Sequence, residues 1–293
     1  MPRAGFWTLA AFGVIYLGWG STFLAVRVAV GSIPPFLVGA SRNLVAGAAL
    51  VAVALATGAA RPTSRALRQA LGIGTLMFVA NHGAIAWAST RNPSGITALL
   101  VATIPLWIAV LEWVRGVGER PSARAVWGIG LGFVGSVLLF WPVGDTPHVD
   151  PLASLVTAGA AISWAAGTLK ARRSHLSDSV TMATGLPMLL GGLALAALAG
   201  VAGEWTALDV ATVTGPAFGS LVYLIVMGSW LGFSAYLFLL RTMPASRVAT
   251  YAYVNPIVAL ALGAWLGGEP LAFMTLVAAA ISLAGVYLSV SAR

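Results

Sequence analysis

From residue 6 to residue 291 the chain is a succession of apolar runs, each about 20 residues long, separated only by glycines, prolines and small clusters of charge. Runs of that length and spacing leave few options. Period-two alternation, the mark of a membrane-spanning strand, is absent, so the runs read as helices. The predicted spans are 6–29, 34–56, 67–89, 94–115, 122–142, 150–169, 179–200, 214–240, 245–266 and 270–291. Hydrophobic residues make up 59% of the 293 and charged residues only 8%. A soluble domain needs far more charge to cover its surface, so lipid must be the solvent. The expectation is an all-α polytopic membrane protein with no separate soluble domain. The first run, which follows Arg3, continues to about Val30 without a clear cleavage site. It is too long for a signal-peptide core and is kept as a span.

The cations set an orientation. With the N-terminus in the cytoplasm, Arg3, Arg61, Arg65, Arg68, Arg115, Arg120, Arg124, Lys170, Arg172, Arg173, Arg241, Arg247 and Arg293 all fall on the cytoplasmic side, 13 of the 16 Lys and Arg. Arg27, Arg42 and Arg91 are left within or beside spans on the outer half, and the outer loops carry Asp145, Asp150, Glu204, Asp209 and Glu269. Such a bias is the positive-inside pattern and places both termini in the cytoplasm. It also accounts for the net charge of +8 without a nucleic-acid partner. The chain has no cysteine, which excludes disulfides, thiolate metal sites and cysteine catalysis.

The chain also repeats itself. Pro93 and Pro105 are 12 apart, as are Pro244 and Pro256; Glu119 and Gly135 are 16 apart, as are Glu269 and Gly285. The shift between copies is 150 or 151 residues, and Trp19 and Trp164 add a pair shifted by 145. The copies are assigned to residues 1–144 and 145–293. Each holds five helices, an odd number, so the second must insert upside down. Inverted repeats of this kind are a transporter architecture.

The residues now on the page resemble the EamA family of the drug/metabolite transporter superfamily. Leu17-Gly18-Trp19-Gly20-Ser21-Thr22-Phe23, then Pro34-Pro35 and Arg42, resemble the family's opening. Ala98-Leu99-Leu100 through Pro105 to Glu119, then Gly132 to Gly135, resemble its second signature, which Ala249 through Pro256 to Glu269 and Gly285 repeats. Trp164-Ala165-Ala166-Gly167 matches the opening only loosely. In overall character the chain is similar to the YddG-type amino-acid exporters. The resemblance implies a bacterial inner-membrane protein in which helices one, three, four, six, eight and nine line a central cavity, with five and ten as buttresses.

Several side chains stand out against the apolar background. Pro105 and Pro256, mid-span in helices four and nine, are expected to bend a cavity-lining helix in each half. Asn81 and His82 lie in the middle to outer part of helix three, where polar groups face a bundle interior or a wet cavity. They either bond a neighbouring helix or contact substrate, with His82 as a conceivable proton carrier. Arg42 lies about eight residues into helix two with no obvious intramembrane carboxylate, since Glu112 is expected near Arg115 at the cytoplasmic end. It either snorkels outward, as Arg27 is expected to do, caps carbonyls, gates the cavity or attracts a substrate carboxylate. The family arginine implies a structural or gating role. Trp7, Trp141 and Trp205 read as interfacial belt residues. Trp19, Trp107, Trp164, Trp230, Tyr251, Tyr253 and Asn255 are deeper, and each either packs helices or lines a cavity.

The site expected to bind substrate comprises Trp19, Asn81, His82, Trp107, Trp164, Trp230, Tyr251 and Asn255. A mostly apolar lining with a few donors suits small amphipathic metabolites. The expected partners are therefore a small-molecule substrate and the lipid bilayer, with no cofactor, no catalytic residue, no metal and a monomeric chain. Gly128-x-x-x-Gly132 reads as a close-packing motif, not a phosphate loop, because it lies within a span. Scarce intramembrane carboxylates weigh against proton or sodium antiport and towards exchange or facilitated diffusion. Export of neutral drugs or purines is the competing transport reading, and a non-transporting membrane protein the competing class.

Overall fold

In the computed structural model the described residues are 2–116, 122–138, 149–243, 248 and 250–291. Trp141, Asp145, His148, Glu119, Arg120, Pro244, Arg247, Ala249 and Arg293 lie outside them, as do the halves of the repeat that rest on Glu119 and Pro244. Among the described residues eight helices are long and apolar enough to cross a membrane: α1 (Phe6–Ala29), α2 (Pro35–Ala56), α3 (Ser64–Ala88), α4 (Ser94–Val114), α6 (Pro151–Arg172), α7 (Val180–Val201), α8 (Gly215–Leu239) and α10 (Phe273–Ser291). Two shorter apolar helices, α5 (Ala123–Leu138) and α9 (Tyr251–Trp265), complete the predicted set.

Most starts are written in local chemistry. The side chains of Thr63, Asp150, Ser179 and Thr214 each accept a backbone N–H of the first turn, which sets the first residues of α3, α6, α7 and α8. Pro34 precedes α2 and Pro93 precedes α4, where a missing N–H is harmless. Helix α4 is not continuous: it breaks at Ala102–Thr103, and Pro105 opens its second half. Pro256 instead lies within α9.

Two pairs of equivalent helices display the inversion directly. Along α5 and α10, Gly128 meets Ser289, Gly132 meets Gly285 and Gly135 meets Ser282, an antiparallel register in which a Cβ on any of the three glycines of α5 would strike a neighbour. Along α2 and α7, Gly192 lies against Leu44, Gly47 against Leu189 and Gly185 against Leu50, again antiparallel. Helix n running antiparallel to helix n+5 is what two five-helix copies of opposite orientation require. Small residues at both crossings let the backbones approach, the packing that lipid solvent favours.

Ion pairs and caps then show which helix ends lie together. At one end Glu269 meets Arg27 and the start of α4, Asp150 meets Arg91, and Glu204 meets the start of α2. At the opposite end Glu112, near the finish of α4, meets Arg172 at the finish of α6, 3.2 Å away. Glu112 lies near Arg115 at that end, as expected, and pairs with a cation on another helix. Arg27, expected to reach outward, is held by a carboxylate from the α9–α10 link.

Candidate functional site

The two halves meet around a cavity whose space open to water centres is about 110 Å3, well above the ~10–15 Å3 that one water needs. Its lining comes from α1, α3, α4, α6, α8 and α9, as the resemblance implies, but also from α2 through Val38, Gly39 and Arg42. Of the expected residues, Trp19, Asn81, His82, Trp164, Tyr251 and Asn255 are on the wall. Trp107 and Trp230 are not. Trp107 packs edge-on against Phe133, joining α4 to α5, with ring centroids 4.7 Å apart. Trp230 turns towards α2 and donates its indole N–H to the Ala46 carbonyl at 3.3 Å. Tyr253 likewise faces α10, its ring 6.1 Å from that of Tyr287.

Three of the lining helices carry a wider π-helical stretch: Val14–Gly18 in α1, Thr75–Gly83 in α3 and Leu224–Leu231 in α8. Such turns skew the carbonyl ladder and leave oxygens open to outside donors, which in hydrocarbon must be satisfied by protein. Ser21 meets Leu17 O and Gly18 O from within α1, and other donors come from the opposite half of the chain. With its amide oriented so that the NH2 faces carbonyls, Asn255 donates to Ile15 and Tyr16 at 3.1 and 3.2 Å. Ser163 donates to Leu76 O at 2.8 Å, and the Trp19 indole to Gly228 O at 3.0 Å. Asn81, itself in the α3 π stretch, donates to Ala160 O at 2.9 Å. Trp19, Asn81 and Asn255 are therefore both wall residues and bonds between the halves.

Aromatic rings form most of the wall. Trp19 sits edge-on to Tyr251 and Phe233, with centroids 5.1 and 5.5 Å away. On the far side Trp164 stacks on His82 at 5.9 Å, and Phe233 bridges the two indoles. Phe233 was absent from the expected set. In an apolar helix that also carries Trp230 three residues earlier, nothing local tells the inward ring from the other, except that the π stretch ends between them.

His82 and Arg42 supply the polar wall. Asn43 is fully buried, and its side-chain NH2 donates to Gly39 O at 2.8 Å, so its Oδ1 is left to accept. His82 Nδ1 lies 3.1 Å from that oxygen and therefore carries the hydrogen. In the neutral ring Nε2 is then an acceptor, without a partner among the described residues. Arg42 is 8% exposed. Its Nε donates to Ser229 Oγ at 2.9 Å, and its fork lies over Gly228, where a Cβ would come within 2.8 Å of Nη2. Among the described residues no carboxylate pairs with Arg42, and no hydrogen bond engages Nη1 or Nη2.

Comparison with known proteins bears on what such a site belongs to. The model of the EamA-like transporter family matches twice, over residues 6–141 and 151–291. An uncharacterized inner membrane transporter of Escherichia coli strain K12, YedA, is 35% identical over 264 residues, which span 89% of this chain and 83% of that protein. A probable amino-acid metabolite efflux pump of Salmonella typhimurium is 28% identical over 291 residues, 94% of this chain and 92% of its own. A solved crystal structure superposes with a TM-score of 0.65 at 20% identity, covering 97% of this chain and 96% of that one, and attests the fold alone. With both halves matched and the fold shared, the chain belongs to the EamA-like transporter family.

Proposed function

We propose that the protein is a secondary transporter that exports amino acids or related small metabolites across the bacterial inner membrane by alternating access. The observation that carries this reading is a partly polar cavity at the junction of two inverted halves, walled by rings from both. At each of the three π stretches at least one polar bond runs between the halves, so rocking one half against the other would exchange these bonds and alter the cavity together. A small apolar chamber with few donors favours compact amphipathic cargo over highly charged solutes. The naming of one relative as a probable amino-acid metabolite efflux pump points the same way.

In this reading Trp19, Asn81, His82, Trp164, Tyr251 and Asn255 contact the substrate. Pro105 and Pro256 set the bends of α4 and α9, and Arg42 acts at the wall. The halves divide at residues 144 and 145, the chain works as a monomer, and both termini are cytoplasmic. Uptake of a panel of radiolabelled amino acids into inverted and right-side-out proteoliposomes tests the reading. Saturable flux of at least one amino acid is expected; none for any member of the panel defeats the amino-acid version.

A further inference from the structure

Among the described residues Arg42 is the one buried Lys or Arg, and its placement in the cavity is more specific than the proposed function requires. A buried charge in hydrocarbon is costly, and proteins ordinarily answer it with a carboxylate or with several acceptors. Here the protein provides a single acceptor, Ser229 Oγ, on Nε. That contact and Gly228 fix the guanidinium plane, while the two terminal nitrogens remain on the cavity wall without a partner among the described residues. A planar fork of N–H donors held at one edge and open at the other matches a carboxylate, which can accept both donors at once.

We propose that the cavity binds substrates carrying one carboxylate on an apolar or aromatic body, with the carboxylate seated on the Arg42 fork and the body among Trp19, Trp164, Phe233 and Tyr251. The inference rests on the transport reading and narrows it to a chemical class. His82 Nε2, held as an acceptor by the Nδ1–H bond to Asn43, and the adjoining indole face of Trp164 offer an α-ammonium group complementary surfaces on the wall. A zwitterionic amino acid with a large side chain satisfies all three features. Polyphosphorylated solutes do not, because one cation cannot balance several charges in so apolar a chamber. Ser229 becomes a positioning residue that acts through Arg42.

The test uses purified full-length protein in lipid nanodiscs, with three probes: L-phenylalanine, its carboxamide, and 3-phenylpropionate, which keeps the carboxylate and lacks the amine. Binding is read by thermal stabilisation and by tryptophan fluorescence. The acid is expected to bind roughly 10- to 100-fold more tightly than the amide, the range for a charge-assisted pair. Arg42→Gln should abolish the preference by weakening the acid and sparing the amide; Arg42→Lys, which keeps charge but loses the fork, should restore part of it. If Arg42→Gln does not fold, Ser229→Ala, which frees Nε without removing charge, should reduce the acid-over-amide ratio. Equal binding of acid and amide to the unaltered protein overturns the inference, as does a preference that survives Arg42→Gln. If the radiolabelled panel shows saturable flux while L-phenylalanine and its carboxamide bind equally, the carboxylate assignment falls and the transport reading stands. If nothing moves at all, the transport reading itself has failed.

Discussion

Glu269 Oε1 lies 3.2 Å from Arg27 Nε, and the same carboxylate accepts the backbone N–H of Ser94 at 2.8 Å and its hydroxyl at 2.9 Å. One side chain on the α9–α10 link thus joins the end of α1 to the start of α4. Gly268, with φ of +61°, supplies the left-handed turn that brings Glu269 back over α9. Arg27 completes the knot by donating to the carbonyls of Ser89 and Asn92. Glu204 plays a parallel part for α2, accepting the N–H groups of Phe36 and Leu37 at 3.2 and 2.9 Å.

These contacts join helix ends at the end that bears Glu269, so weakening them should widen access to the cavity from that end. Glu269→Gln removes the charge while keeping an acceptor for Ser94. Because the natural chain lacks cysteine, a single Ala86→Cys on the cavity wall reports access cleanly. Labelling by a membrane-impermeant maleimide from that side is expected to rise several-fold, on the order of ten, in the Glu269→Gln background. An unchanged rate would mean that the ion pair does not limit that access.

Glu204→Ala leaves two N–H groups at the start of α2 without their acceptor, that of Leu37 buried and that of Phe36 partly so. A loss of about 1–3 kcal/mol is expected, the usual cost of unmet buried donors. Thermal unfolding in nanodiscs measures it, and Glu204→Gln should recover part of the loss.

At the α5–α10 crossing, Gly285→Leu places a side chain into the Gly132 backbone. Helix separation and a strongly lowered melting temperature are expected. Gly130, on the same α5 helix, has open space where a Cβ would stand. Gly130→Leu should melt within a degree or two of the parent, and equal losses for both variants would refute the crossing as described.

Asn255→Leu strands the carbonyls of Ile15 and Tyr16 in the α1 π stretch. Its stability should fall by ~0.6–2 kcal/mol, as for other interhelical hydrogen bonds in membranes. The initial flux rate should fall with it, because the bond links the halves. A full flux rate with normal stability would leave Asn255 as a passive wall residue.

The orientation is checked with two exposed single cysteines. His175→Cys, past the end of α6, should label only from the cytoplasmic side, and Thr206→Cys, between α7 and α8, only from the outside. Labelling of both from one side would break the ten-span alternation.

How much was legible in the chain can be judged residue by residue. Span starts at 150, 179 and 214 were legible to within one residue, whereas the start of α3 was placed at 67, three residues late, because the Thr63 cap was not read. The inversion was, because an odd number of spans per copy admits only one arrangement. The partner of Arg27, Glu269, was not legible, because the two are neighbours only after the helices have packed. Trp107 and Trp230 were misassigned to the cavity wall and Phe233 overlooked for a related reason: hydropathy reports how apolar a span is, never which face turns inward.

What the sequence determined by itself was therefore the solvent, the number of crossings and the two-fold repetition, each a property of local composition or of chain length against bilayer thickness. Only the tertiary structure decided which rings meet, that α2 joins the cavity wall, and that Arg42 stands there with an open fork. In a soluble protein the polar face of a helix announces its outside. In lipid both faces are apolar, so the choice between core and surface is made by packing and by the few hydrogen bonds that cross between the halves.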